Sequence, residues 1–188
     1  MGKVIVSQFI TIDGVVEDPG GSENLDRGGW AFAFDRGPVG DQFKLDELMS
    51  AEALLLGRVT YEGFAAAWPE REGEFADKFN TMAKYVVTST LQDPEWNNTT
   101  VIAGDLAKEI AQLKQDVNGD ILVNGSVQLT QALLELGLVD ELRLMVFPTV
   151  LGAGKKLFAD TNAALPMQQI DAKQAGETFV LTYAPRSS

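Results

Sequence analysis

Residues 53–56, Ala-Leu-Leu-Leu, contain no polar side chain, and after Gly57 and Arg58 the chain runs into the helix-forming stretch Thr60–Trp68, stopped by Pro69. A strand that is apolar on both faces must be covered on both, and parallel strands obtain that cover from the helices that connect them. The unit recurs. Lys84–Thr90 reads as a strand, and Thr100–Ala103 as another that leads through Gly104-Asp105 into the amphipathic LAKEIAQLKQD. Ile121–Val123 is followed by Asn124-Gly125-Ser126 and the helix VQLTQALLELG, whose Gly137 stands where a left-handed cap is favoured.

At the N-terminus, Val4–Asp13 reads as a strand ended by Gly14, and Gly40–Ser50 as a short helix with Phe43, Leu45, Leu48 and Met49 on its apolar side. Towards the C-terminus the pattern changes: Leu142–Val150 is strand-like, LGAGKK is a glycine loop, and Met167–Ala184 reads as two strands around QAGE. The expected fold class is α/β, three-layered, with a mostly parallel central sheet, flanking helices and a C-terminal antiparallel hairpin. At 188 residues this is one domain, 1–188. Residues 17–29, EDPGGSENLDRGG, carry four glycines and one apolar residue, Leu25, and are expected to form a mobile surface loop or lid.

Charge and composition exclude several functions. Fifteen Lys and Arg against 27 Asp and Glu leave a net charge of -12, a field that repels a nucleic-acid backbone. The chain has no cysteine and no histidine, which removes thiolate chemistry, the commonest metal ligands and the commonest general base; no metal site is expected. No apolar run approaches the ~20 residues that span a bilayer, and the first apolar stretch reads as a strand and not as a signal peptide. The expected location is the cytoplasm, with no membrane partner.

Three strand ends share a chemistry. Gly57-Arg58-Val59-Thr60, Thr88-Ser89-Thr90 and Asn124-Gly125-Ser126 are all small and rich in hydrogen-bond donors. In an open parallel sheet, ligands bind beyond the carboxyl ends of the strands, where helix N-termini offer unpaired amides and a positive dipole end. Two such helix starts side by side would hold a pyrophosphate, and Arg58 with the Thr88-Ser89 pair would suit a third phosphate, such as one on an adenosine 2′ oxygen. Each turn taken singly reads equally as a tight turn or a helix cap. Neither G-x-G-x-x-G nor G-x-x-x-x-G-K-[ST] is present.

Taken together, LLLGRVTYEGF, VVTSTL, ILVNGSVQLTQALL and VDELRLMVFPTVLGAGKKLF, preceded by SQFITIDGVV, resemble the dihydrofolate reductase-like superfamily. The nearest branch is the C-terminal reductase domain of the bifunctional riboflavin-biosynthesis deaminase-reductase. The resemblance implies an NADPH-dependent reductase of a pteridine-like or pyrimidine-like heterocycle, comparable to 5-amino-6-(5-phosphoribosylamino)uracil reductase, and a homodimer. It implies that Gly57, Arg58 and Thr60, then Thr88 and Ser89, then Asn124, Gly125, Ser126 and Val127 bind the cofactor. Two positions depart from the riboflavin enzymes, which commonly carry a lysine and an acidic residue where Val15 and Val127 stand here. Two other readings therefore remain open: a dinucleotide-binding module without turnover, and a flavin-utilising protein on the same fold.

Without histidine, a carboxylic acid is the natural proton donor, its proton affinity raised by burial. Asp13, at the end of the first strand, and Asp41, 16 residues before Gly57, are the candidates. Trp30 and Phe32 either stack on a flat substrate or bury the end of the preceding loop. Gly152 and Gly154 either let backbone approach the nicotinamide or form a simple turn.

Overall fold

The computed structural model describes residues 1–158 and 164–186. Its sheet contains β1 (Lys3–Thr11), β2 (Ala51–Gly57), β3 (Ala83–Val87), β4 (Thr99–Ile102), β5 (Asp120–Val123), β6 (Glu141–Phe147), β7 (Met167–Ala175) and β8 (Thr178–Pro185). They lie in the order β4-β3-β2-β5-β1-β6-β8-β7. Every pairing among β1 to β6 is parallel, while β6–β8 and β7–β8 are antiparallel. The expected α/β architecture with a terminal antiparallel hairpin is what the chain adopts. Among the described residues, five α-helices accompany the strands: α1 (Gly37–Ser50), α2 (Arg58–Ala67), α3 (Glu74–Thr81), α4 (Leu106–Asp116) and α5 (Val127–Glu135).

The two faces of the sheet carry separate cores. On one, Val4, Val6, Ala53, Leu55, Ile121 and Val123 pack with Ile110 and Leu113 of α4 and Leu129 and Leu133 of α5. On the other, Ile5, Leu54, Leu56, Val86 and Leu122 pack with Leu48 of α1, Tyr61 of α2 and Phe79 of α3. This period of two along fully buried strands is why residues 53–56 needed to be apolar throughout. The chain moves outward from β1 to β4 over the second face and returns through α4 and α5 over the first. That path inserts β5 between β1 and β2.

Local sequence explains the helix ends. Asp105 caps α4 by accepting from the Lys108 amide at 3.0 Å. Gly137 closes α5 with φ 66°, donating to Leu134 O while Leu138 donates to Leu133 O, the Schellman arrangement. No helix among the described residues is long and apolar enough to cross a membrane.

The loop at 17–29 differs from expectation. Asp18 is only 1% exposed, and its carboxylate accepts from the amides of Glu23 at 2.9 Å and Leu25 at 3.1 Å. A Cβ on Gly28 would sit 2.1 Å from Asp18 Oδ2, so the glycines make room for this buried acid instead of leaving the loop unpacked. Trp30 opens a short 3-10 turn, Trp30–Ala33, and anchors the loop by donating from Nε1 to Glu17 O at 2.9 Å.

Lys84 is wholly buried in β3. Its ammonium donates to Met82 O and Asn97 O, both at 2.8 Å, and to Asn80 O at 3.3 Å, and lies 4.5 Å from the Trp96 ring centroid. It thereby ties the end of α3 to the segment entering β4. Burial pushes its pKa from 10.5 down to about 8. Between those values the folded chain sheds a proton that the unfolded chain keeps, so stability rises with pH. The expected outcome is that wild-type stability, measured by urea unfolding relative to Lys84→Met, increases from pH about 8 to about 10.5. A pH-independent difference would contradict a desolvated ammonium at this position.

Candidate active site

Because β1 to β6 are mutually parallel, their carboxyl ends share one edge, and the order β3-β2-β5-β1 sets the three donor-rich turns side by side. At the centre, the Gly57 amide donates to Gly125 O at 3.2 Å. A Cβ on Gly57 would lie 2.2 Å from Ser126 Oγ, and one on Gly125, whose φ is 127°, would lie 2.7 Å from Thr60 Oγ1. Only hydrogen fits at either position. The Gly125–Ser126 peptide is cis.

The helices that start here are open to an anion. Gly57 is the N-cap of α2 and has no side chain to accept from its first-turn amides, so the positive dipole end is uncompensated. At α5, the Ser126 hydroxyl accepts from the Leu129 amide at 3.5 Å, too long a bond to occupy it fully. Gly57 pairs in register with Val87, so Arg58 and Thr88 leave adjacent strands. Thr88 Oγ1 accepts from the amides of Thr90 at 3.1 Å and Leu91 at 3.2 Å and lies 3.4 Å from Thr90 Oγ1; Ser89 is exposed. The Arg58 guanidinium lies along α2, donating to both carboxylate oxygens of Glu62 at 2.8 and 3.0 Å. An exposed pair of this kind is worth ~0–1 kcal/mol, so a phosphate displaces it readily. The structure thus joins Gly57, Thr60, Gly125 and Ser126 in direct contact. Arg58, Thr88 and Ser89 come from neighbouring positions, and Asn124 and Val127 flank the turn.

Asp13 corrects the expectation of a proton donor. Its carboxylate accepts from Thr11 Oγ1 at 2.6 Å, Leu151 N at 3.2 Å and Gly152 N at 2.8 Å. With the Thr11 hydroxyl as the largest cause, these bonds lower its pKa to about 2, the reverse of what protonation near neutral pH requires. Asp13 instead fastens the 151–154 loop to the end of β1. The Gly152 amide is consumed in that bond, and a Cβ on Gly154 would meet Val15 Cγ1 at 2.8 Å, so both glycines serve the loop closure. Val15 itself is fully buried.

Asp41 also departs from the donor role. It lies in the second turn of α1, exposed, with its carboxylate 2.6 Å from Arg36 Nε, and lines a shallow cavity of about 460 Å³ with Pro38, Gln42 and Phe75. Trp30 is core: its ring meets Phe147 edge-on at 5.3 Å, and it offers no free face to a substrate. Phe32 is 82% exposed. A broad cavity of about 910 Å³ lies between α2, α3 and the segment before β4, lined by Tyr61, Glu62, Asn80, Leu91 and Trp96.

The sequence reading passed over one cluster. Lys44 of α1 donates to Ser7 Oγ at 2.9 Å and pairs with Glu47, a residue only 4% exposed, which also meets Arg143 at 3.3 Å. The signal was a charged i,i+3 pair on the same side of the helix as Leu48, where an isolated surface pair has no reason to fall.

The RibD C-terminal domain profile matches residues 2–181. The chain belongs to that family. Among curated relatives, the uncharacterized protein YyaP of Bacillus subtilis (strain 168) is 26% identical over 176 residues, covering 91% of this chain and 88% of YyaP. A Shewanella sp. PV-4 structure named for riboflavin biosynthesis superposes with TM-score 0.79 at 21% identity, covering 98% and 99% of the two chains. The dihydrofolate reductase of Enterococcus faecalis, solved with NADP(H), gives TM-score 0.60 at 16% identity, covering 98% of this chain and 97% of that one. This RibD C-terminal domain therefore shares its fold with reductases.

The depressed pKa of Asp13 has a measurable sign. A carboxylate held below its ordinary 3.8 contributes stability above about pH 4 that disappears as pH falls towards 2. Thermal unfolding of Asp13→Asn should show a deficit against wild type at neutral pH that closes across that interval; a deficit constant with pH would contradict the three hydrogen bonds described.

Proposed function

We propose that this RibD C-terminal domain is an NADPH-dependent reductase of a pteridine-like or pyrimidine-like heterocycle, working in the cytoplasm as a homodimer. The observation that carries the reading is the Gly57–Gly125 contact, where helix starts from opposite faces of the sheet meet with no Cβ between them. NADPH, when bound, supplies the hydride. The first-turn amides of α2, with the Ser126 and Thr60 hydroxyls, hold a pyrophosphate at this meeting point. Arg58 exchanges Glu62 for the 2′-phosphate, joined by the Thr88 and Ser89 hydroxyls. In a chain of charge -12, this one guanidinium and the helix dipoles offset a long-range field that opposes phosphate.

One observation favours a second reading, a dinucleotide-binding protein without turnover: the carboxyl at the end of β1 is held ionised and engaged with the 151–152 amides. Tight NADPH binding with no oxidation in the presence of pterins, folates or aminouracils would establish that alternative.

Two measurements test the main reading. Arg58→Ala should weaken NADPH about tenfold or more, the scale of a lost charged hydrogen bond, while NADH changes by about twofold or less in a fluorescence titration. Equal losses for both would remove Arg58 from the 2′-phosphate. The homodimer is assigned to the terminal strands, where Ile170 and Phe179 stand 56% and 50% exposed. Phe179→Glu should halve the mass seen by light scattering; an unchanged mass would place the contact elsewhere.

A further inference from the structure

We propose that Asn124 selects the heterocycle, its side-chain carbonyl accepting a hydrogen bond from a ring N–H of a lactam, the N–H beside C=O found in pterins and uracils. The inference rests on the reductase reading and names what the same site recognises. Among the described residues, Asn124 Oδ1 is a buried side-chain oxygen with no hydrogen-bond partner. Leaving such an acceptor unpaired forfeits its hydration without return, so native proteins rarely keep one that nothing completes.

Its position identifies the missing partner. Along β5, Ile121 and Val123 enter the core under α4 and α5, while Leu122 enters the core under α1 and α2. The alternation carries Asn124 onto the Leu122 side. Val6 pairs with Val123, so Ser7 is the next residue of β1 beside Asn124 and faces the same way as Ile5. Ser7 Oγ holds Lys44 Nζ at 2.9 Å, with the Lys44 side chain 14% exposed. Continued one residue past the end of β5, this alternation sets an acceptor, Asn124 Oδ1, on the side of the sheet beneath α1 that also carries Lys44 Nζ, a cationic donor already paired with Glu47. These complement the N–H and C=O of a lactam edge.

This takes Asn124 out of the cofactor-binding set that the family resemblance implies, because a dinucleotide does not meet this need at its phosphates. Gly125 and Ser126, immediately after Asn124, turn towards Gly57 and Thr60 to form the anion cradle, and a carbonyl oxygen beside them would repel a phosphate. A neutral ring carrying N–H does meet it. It would lie one residue from the cradle, where the hydride acceptor must come within ~3–3.5 Å of its donor.

The test uses 5,6-diaminouracil and its 1,3-dimethyl derivative, which lacks both ring N–H groups, titrated calorimetrically with and without saturating NADPH. Wild type should prefer the unmethylated ring by about tenfold. Asn124→Leu should erase that preference and leave NADPH affinity within about twofold, while Asn124→Asp, which keeps an acceptor, should retain it. The leucine variant should melt no lower than wild type, because it removes a polar atom that has no protein partner; Asn124→Ala repeats the test if leucine does not pack. A preference that survives in the leucine or alanine variant overturns the proposal. So does a parallel loss of NADPH affinity, which would give the amide to the dinucleotide, or failure of wild type to bind either ring. Failure of wild type to bind NADPH would instead sink the reductase reading, with discrimination between the two rings still measurable in the cofactor-free titration.

Discussion

Two neighbouring strands that turn at once into helices on opposite faces can seat each helix start against the other strand's end only if no side chain stands there, since Ser126 and Thr60 fill the space a Cβ would need. Gly57 and Gly125 satisfy that condition, and the rest of the molecule is arranged so that they meet. The insertion of β5 between β1 and β2 brings distant parts of the chain together, and it depends on helices covering opposite faces of the sheet. Each face then contributes one helix start to the same point. The buried alternation along β2 and β5 fixes the register, since a slip of one residue would exchange the two cores and separate the glycines.

Much of this was legible because the decisive signals are local. Helix α4 falls on the residues expected of it, Leu106–Asp116, since Asp105 caps one end and its apolar spacing is unambiguous. The hairpin after Met167 and the Gly137 cap were equally readable. Helix α3 was not: eight residues with Phe75, Ala76 and Phe79 buried or half-buried follow the charged run from Glu70 to Glu74, and only packing against Trp68 reveals its face. β3 ends at Val87, short of Thr90, because Thr88 Oγ1 draws the following amides into a turn.

The candidate site divides along the same line. The phosphate-facing residues lie within a few positions of a strand end, so their placement follows from topology. Asp13 does not: the Thr11 hydroxyl, two residues away, lowers its pKa most, and the Gly152 and Leu151 amides, 139 and 138 residues away, add to a shift opposite to the one burial alone would give. Asp18 presents the same difficulty: a loop rich in glycine reads as unpacked until the buried carboxylate that organises it is seen. Hydrogen bonds from a side chain to backbone amides leave no periodicity in the sequence, whether the partners are five residues away or 139.

The uncapped start of α2 reaches beyond recognition. An anion seated against it and against the start of α5 would strengthen the bridge between the two helix layers where their starts meet, acting as a rivet between the two sides of the sandwich. A ligand held by the native chain alone at a hundred times its dissociation constant adds about 2.7 kcal/mol to unfolding. The fraction of molecules open to a protease would then fall about a hundredfold at that ligand level.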